Sequence, residues 1–217
     1  ARLIAETLTR DDLRDALAHA RDRELPVFVL GGGSNVVVSD AGFDGMVIRV
    51  CDYRLELEAL DDGRVRVLVG AGVEWDELVA FTVAERLAGI ECLSGIPGQV
   101  GAAPIQNIGA YGQEVAECIE AVHVVDRATG TPMRLPAEAC AFGYRDSRFK
   151  GEWRDRYVVT QVDLVLQRDG APTVRYDELR KALRVTDDGP LPRLDDVRTM
   201  VLRIRRRKSM VLDPTDP

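Results

Sequence analysis

The sequence predicts a mixed α and β fold arranged as two packed units, and three observations carry that expectation. Runs of β-branched residues alternate with stretches whose apolar residues recur at helical spacing. Two glycine-rich segments, 31–35 and 94–112, interrupt the rhythm. The 217 residues are 46% hydrophobic, enough for the core of one large domain or two small ones.

The elements follow in order. Thr9-Arg10-Asp11-Asp12 opens a helix, with Thr9 as N-cap and Asp12 completing a capping box. Leu13, Ala16, Leu17 and Ala20 then repeat at helical spacing until Pro26 ends the unit. Val27-Phe28-Val29-Leu30 reads as a buried strand, Val36-Val37-Val38 as a second, a turn follows around 41–45, and Met46 to Val50 is a third strand. Val65 to Val69 is a further strand, closed by the turn Gly70-Ala71-Gly72. Trp75, Leu78, Val79, Thr82 and Val83 form a helical stripe, with Gly89 as its expected C′ residue. Glycines and prolines preclude one long regular element between Leu93 and Gly112. Strands return at Ala121 to Asp126 and Tyr157 to Leu166, and Leu194, Val197, Val201, Ile204 and Lys208 mark a last helix.

Composition excludes several function classes. A net charge of −7 argues against a phosphate-tracking protein, so no nucleic-acid partner is expected. No run approaches the length of a membrane span, and no signal-like segment opens the chain, so the cytoplasm is the expected location. Cys51, Cys92, Cys118 and Cys140 form no Cys-x-x-Cys pair and read as small buried hydrophobes. His19 lies in a charged helical stretch, and His123 interrupts a strand-like run. Neither completes a base–nucleophile pair, and no metal site is expected.

Gly31-Gly32-Gly33-Ser34-Asn35 directly follows a strand. Glycine lets successive N–H groups converge on one point, which binds phosphate oxygens without a cationic side chain, and Ser34 and Asn35 add donors. No lysine supports a P-loop, and no helix follows to make a dinucleotide fingerprint. A strand–loop–strand phosphate site is one reading, and a plain glycine-rich hairpin turn is the other. The second segment is too glycine-dense for a core and too apolar for a free linker. It suits a chain lying flat on a large planar ligand, with Ile96, Ile105 and Ile108 as faces and Gln106 and Asn107 as amides. An ordered loop packed on itself would also account for it. Together the two segments favour a dinucleotide with a tricyclic ring.

Those segments, with Phe142-Gly143-Tyr144-Arg145-Asp146-Ser147-Arg148-Phe149-Lys150, resemble the bacterial UDP-N-acetylenolpyruvoylglucosamine reductases over essentially the whole chain. The resemblance implies an α+β, two-subdomain FAD-binding fold of the vanillyl-alcohol-oxidase type. It implies subdomains at 1–50 and at 51–212, the latter reaching the start of a substrate-domain connection, with 213–217 a truncated linker. The implied reaction carries hydride from NADPH through FAD to the enolpyruvyl double bond of a UDP-sugar, giving UDP-N-acetylmuramate for peptidoglycan.

The resemblance implies cofactor contacts from Gly31, Gly32, Gly33, Ser34 and Asn35. It extends them to Gly95, Ile96, Pro97, Gly98, Gly101, Ala102, Ala103, Gln106, Asn107, Gly109, Ala110 and Tyr111. Arg145 matches the family's catalytic arginine, a fixed, bidentate cation toward which hydride addition drives negative charge. A surface salt bridge with Asp146 or another carboxylate is the plainer reading of Arg145. Tyr144, Arg145, Tyr176 and Lys208 match substrate-binding positions. Tyr176 would otherwise be a tyrosine at the start of a short helix. Lys208 closes a basic cluster with Arg203, Arg205, Arg206 and Arg207 whose members point in several directions. No obligate protein partner is implied.

Some family features are absent. Ala102 and Ala103 offer no hydroxyl where many relatives carry one. The family's proton-donating serine in a Gly-Ser-Phe-Phe segment, its partner glutamate and the usual N-terminal Thr-Phe-Arg-Val-Gly-Gly stretch do not occur. The sequence therefore reads as trimmed at both ends, with the substrate domain largely missing and turnover by this piece alone not expected. The competing expectations are another FAD oxidoreductase of the same fold, or a cofactor-free structural domain.

Overall fold

The computed structural model describes residues 1–34, 36–186 and 188–211. The first unit holds β1 (Leu3–Thr7), α1 (Arg10–Asp22), β2 (Val27–Val29) and β3 (Met46–Val50), with the strands parallel in the order β1-β3-β2. Helix α1 begins as the sequence predicts: the Thr9 hydroxyl accepts from the Asp12 amide at 3.1 Å, and the Asp12 carboxylate accepts from the Thr9 amide at 2.8 Å. Leu13, Leu17 and Ala20 turn inward onto Met46 and Ile48.

Because β2 and β3 are parallel, the chain must run back along the unit between residue 30 and Gly45. The glycine loop and Val36-Val37-Val38 make that return. The expected strand at 36–38 is therefore corrected: these valines belong to no strand, and Val37 is fully exposed. A β-branched run becomes a strand only where a partner strand can satisfy its backbone, and among the described residues no strand pairs with these valines.

The second unit is built on a mixed-length antiparallel sheet. Its strands are β4 (Leu55–Ala59), β5 (Arg64–Gly70), β6 (Leu87–Ala88), β9 (Ile119–Asp126), β10 (Pro132–Pro136) and β11 (Tyr157–Arg168). The main order is β10-β9-β11-β5-β4, with β6 pairing to β11. A separate two-stranded ladder joins β7 (Gly109–Ala110) to β8 (Gln113–Glu114). Helix α2 (Trp75–Ala84) buries Trp75, Leu78 and Val79 against this sheet, and the Trp75 indole donates to the Leu93 carbonyl. Helices α3 (Asp177–Leu183) and α4 (Leu194–Arg207) share a smaller core of Leu179, Val197, Val201 and Ile204.

Gly89 does not close α2. Glu85 caps that helix and Arg86 takes the left-handed turn at φ 59°, because the chain must enter β6 at once to pair with β11. As expected, 93–112 forms no long element, only single 3-10 turns and β7.

The two units share packing. Val125 of β9 and Val158 of β11 join the cluster of α1 and β3. Arg14 and Arg21 of α1 donate to the carbonyls of Gly130 and Ala128 in the β9–β10 turn, and Arg127 donates to Val27. An open cleft lies beside this junction. Among the described residues no helix is long and apolar enough to cross a membrane, and no cluster of potential metal ligands occurs.

Candidate functional site

A cleft of about 480 Å³ lies between the two units. One side is strand β2 running through Leu30 into Gly31. The other is Gln99, Gly101, Ala102 and Ile105, and the inner wall is Phe149, Trp153, Val158 and Val159. Trp153 stands edge-on between Phe149 and Tyr157, with ring centroids 5.4 and 5.5 Å away. The walls are thus mostly apolar, as a planar aromatic ligand requires.

The two glycine segments meet at this cleft. A Cβ on Gly32 would lie 3.6 Å from the Gly98 Cα, and one on Gly98 would lie 3.6 Å from the Ser34 hydroxyl. Gly98 has φ 106°, where L side chains are strained, and a Cβ on Gly101 would come within 2.7 Å of the Ala71 Cβ. Larger residues here would close the cradle that the bare backbone leaves open. A phosphate-bearing, ring-containing ligand fits both the exposed amides of the first loop and the apolar wall behind it.

The remaining residues singled out by the sequence are spread more widely. Gly31 lines the cleft, Gly32, Gly33 and Ser34 stand exposed at its rim, and Asn35 lies outside the described residues. Ala102 lines the cleft and Ala103 is buried beneath it. Gly95 turns away, giving its N–H to Asp76 at 2.6 Å and packing on Leu202 and Arg205 of α4. Ile96, Pro97 and Gly98 line a second hollow of about 290 Å³ with Asp76 and Arg198. Gln106 is exposed, while Gly109 and Ala110 form β7.

Asn107 is 1% exposed and its side chain is committed to the protein. It donates to the Glu114 carboxylate at 2.7 Å and the Gly143 carbonyl at 2.9 Å, and accepts from the Ala116 amide at 3.0 Å. Tyr144 and Arg145 occupy the tip of a tight turn closed by reciprocal hydrogen bonds between Gly143 and Asp146. Arg145 has φ 54°, and its guanidinium donates to the Gly109 carbonyl at 2.5 Å and lies 5.9 Å from the Tyr144 ring centre. It makes no salt bridge with Asp146 or any other carboxylate among the described residues.

Tyr176 is the N-cap residue of α3, and Tyr111 meets it edge-on at 5.7 Å. Lys208, the C-cap of α4, pairs with Glu178 at 2.6 Å, which holds its ammonium in the charged form. Tyr111 therefore stands with Tyr176, and its phenol pKa is raised by burial. Arg205, within the basic cluster, turns inward near Tyr111. Its buried Nε lacks a hydrogen-bond partner among the described residues, and burial lowers its pKa.

Sequence reasoning missed the clasp of Asn107, the inner wall of Phe149 and Trp153, and the inward Arg205. The aromatic pair carried a readable signal, since both residues follow closely on the Gly143 to Ser147 string. The clasp carried none, because it joins the Glu114 carboxylate, the Gly143 carbonyl and the Ala116 amide only once the fold has brought them together.

Comparison with known proteins gives a consistent picture. The family model described as FAD binding domain matches residues 1–136. The UDP-N-acetylenolpyruvoylglucosamine reductase of Salinispora arenicola is 50% identical over 99% of this chain and 58% of its own length. That of Thermobifida fusca is 52% identical over 88% of this chain and 53% of its own length. The crystal structure of the corresponding reductase from Thermus caldophilus superposes with a TM-score of 0.66 at 30% identity, covering 94% of this chain and 62% of that one. A 6-hydroxy-D-nicotine oxidase from Arthrobacter nicotinovorans shares the fold at a TM-score of 0.54 and 22% identity, over 76% of this chain and 36% of its own. The chain spans a little over half the length of the curated relatives it matches.

Proposed function

The chain belongs to the FAD-binding domain family, and from that premise we propose that it is the flavin-holding portion of a UDP-N-acetylenolpyruvoylglucosamine reductase. Its co-substrate is NADPH and its substrate the enolpyruvyl ether of UDP-N-acetylglucosamine, a peptidoglycan precursor handled in the cytoplasm. The subdomains are 1–50 and 51–212, with residue 212 and the linker 213–217 outside the described residues.

The observation that carries the reading is the approach of the two glycine segments across one apolar cleft. Gly31, Gly32, Gly33 and Ser34 present amides and a hydroxyl to the diphosphate of the cofactor. Gly98, Gly101 and Ala102 let its rings lie against main chain. When bound, the flavin supplies the hydride that reduces the substrate double bond. Arg145 supplies the fixed positive charge. Hydride addition moves negative charge toward the substrate carboxylate, so a planar guanidinium there favours the transition state over the ground state. Tyr176, Tyr144 and Lys208 hold the rest of the substrate, with Tyr111 and the inward Arg205 beside them.

The test is to purify the protein and record its visible spectrum before and after adding FAD. A yellow, FAD-containing protein is expected, and at full length it should oxidise NADPH continuously, beyond one equivalent per flavin, only when the enolpyruvyl UDP-sugar is present. A protein that stays colourless with added FAD defeats the proposal. Steady NADPH oxidation with an unrelated acceptor, but none with the UDP-sugar, would leave a flavoprotein of different substrate.

A further inference from the structure

Arg145 sits on a turn that is strained and exposed, yet it must hold a guanidinium in one place. Its φ of 54° lies in the left-handed region, which is costly for a side chain such as arginine, and Tyr144 beside it is 82% exposed. Such a turn keeps its geometry only if its neighbours over-determine it. Three hydrogen bonds run from this hairpin to the glycine-rich segment. Asn107 donates to the Gly143 carbonyl at 2.9 Å, Arg145 donates to the Gly109 carbonyl, and the Ser147 hydroxyl donates to the Ile105 carbonyl at 2.6 Å.

Asn107 is the hub of this arrangement. Its backbone is left-handed at φ 44°, a region asparagine tolerates better than most residues. Its two amide hydrogens go to Glu114 and Gly143, and its carbonyl oxygen accepts from Ala116. A group only 1% exposed with every partner in place transmits its position to what it holds.

We propose that Asn107 is a positioning residue for Arg145: the Glu114–Asn107–Gly143 clasp fixes the turn that aims the guanidinium at the substrate. This rests on the role given to Arg145 above, and it separates Asn107 from the residues that touch the cofactor. Asn107→Asp is the sharpest variant. It preserves shape, tolerance of the left-handed backbone and the acceptor for Ala116. It removes the donor to Gly143 and sets a carboxylate against that of Glu114.

The experiment uses the full-length protein carrying this sequence, with Asn107→Asp and Ser147→Ala compared with the unmutated protein. Without cofactor, amide hydrogen exchange across 143–149 should speed up in both variants. With FAD, cofactor content and the rate of flavin bleaching by NADPH should stay near the unmutated values. The rate at which saturating enolpyruvyl UDP-sugar restores the colour should fall about a hundredfold in Asn107→Asp, the cost of a small misplacement of a catalytic group, and less in Ser147→Ala. As pH falls, the introduced carboxyl regains a proton to donate to Gly143, so the deficit should shrink, which a general packing defect would not produce. Recolouring at the unmutated rate in both variants overturns the proposal, as does unchanged exchange at 143–149. Loss of FAD binding and of both half-reactions together also overturns it, because Asn107 would then be a structural residue only. Failure of the functional reading would show in the unmutated protein as an absence of recolouring by the UDP-sugar, and so is distinct from failure of the clasp.

Discussion

Gly32 and Gly98 belong to different units, yet a Cβ on Gly32 would lie only 3.6 Å from the Gly98 Cα. That is ordinary van der Waals contact, and Gly32 does not lie in the left-handed region, so the folded chain has room for a methyl group there. A ligand threading between the two segments would not have that room.

Gly32→Ala should therefore separate binding from folding. Thermal stability without cofactor should change by less than about 0.5 kcal/mol, since the backbone accepts alanine and only a surface methyl is added. FAD affinity should fall about tenfold, the cost of about 1.4 kcal/mol of lost close approach. Fluorescence titration of the flavin reads the second quantity and a melting curve the first. Equal affinity in both proteins would remove the first glycine loop from the cofactor site.

Arg145 should show the opposite trade. In the proposed role, Arg145→Gly would remove a cation from beside the reacting carboxylate and should cost on the order of 3 kcal/mol, about a hundredfold in turnover. It relieves the φ of 54° but also loses the hydrogen bond to the Gly109 carbonyl, so stability should change by less than about 1 kcal/mol. FAD affinity should be unchanged. Turnover and melting temperature measured on the same preparations test both expectations, and full turnover would remove Arg145 from the mechanism.

Much of this was legible in the sequence where local chemistry decides the outcome. The Thr9–Asp12 capping box, the inward stripe of α4 and the buried core of β11 follow from residues a few positions apart. The misreadings arise where distant chain decides instead. Val36 to Val38 has strand composition but lies on a return path without a partner, and Gly89 was displaced as a helix stop by the early pairing of β6. β10 was hidden because prolines at Pro132 and Pro136 bound it, which suits only an edge strand. In the site, the glycine spacing announced the cleft. The partners of Asn107 could not be read, since Gly143 reaches it only after β9, β10 and the hairpin are in place.

His123 and Asp163 form a pair across β9 and β11 that makes a prediction about acid. Asp163 is 2% exposed and accepts from the His123 Nε2 at 2.8 Å and from Gln161 at 2.7 Å, with Arg134 at 3.5 Å. Burial pushes its pKa up, but those hydrogen bonds and the charges of His123 and Arg134 outweigh it, so the net shift is below the usual 3.8. A carboxyl depressed on folding adds stability that is complete above its unfolded pKa and disappears as pH falls through the folded one. The contribution of Asp163 should thus be intact at about pH 5 and should fade below about pH 4. Asp163→Asn should lower stability at neutral pH by about 1–3 kcal/mol, since the His123 and Arg134 side chains lose a charged acceptor. It should also flatten the acid limb, because one group that resists protonation in the native state is gone. Urea unfolding at a series of pH values measures both effects. Parallel acid limbs for the two proteins would mean that Asp163 binds its proton equally well in the folded and unfolded chains.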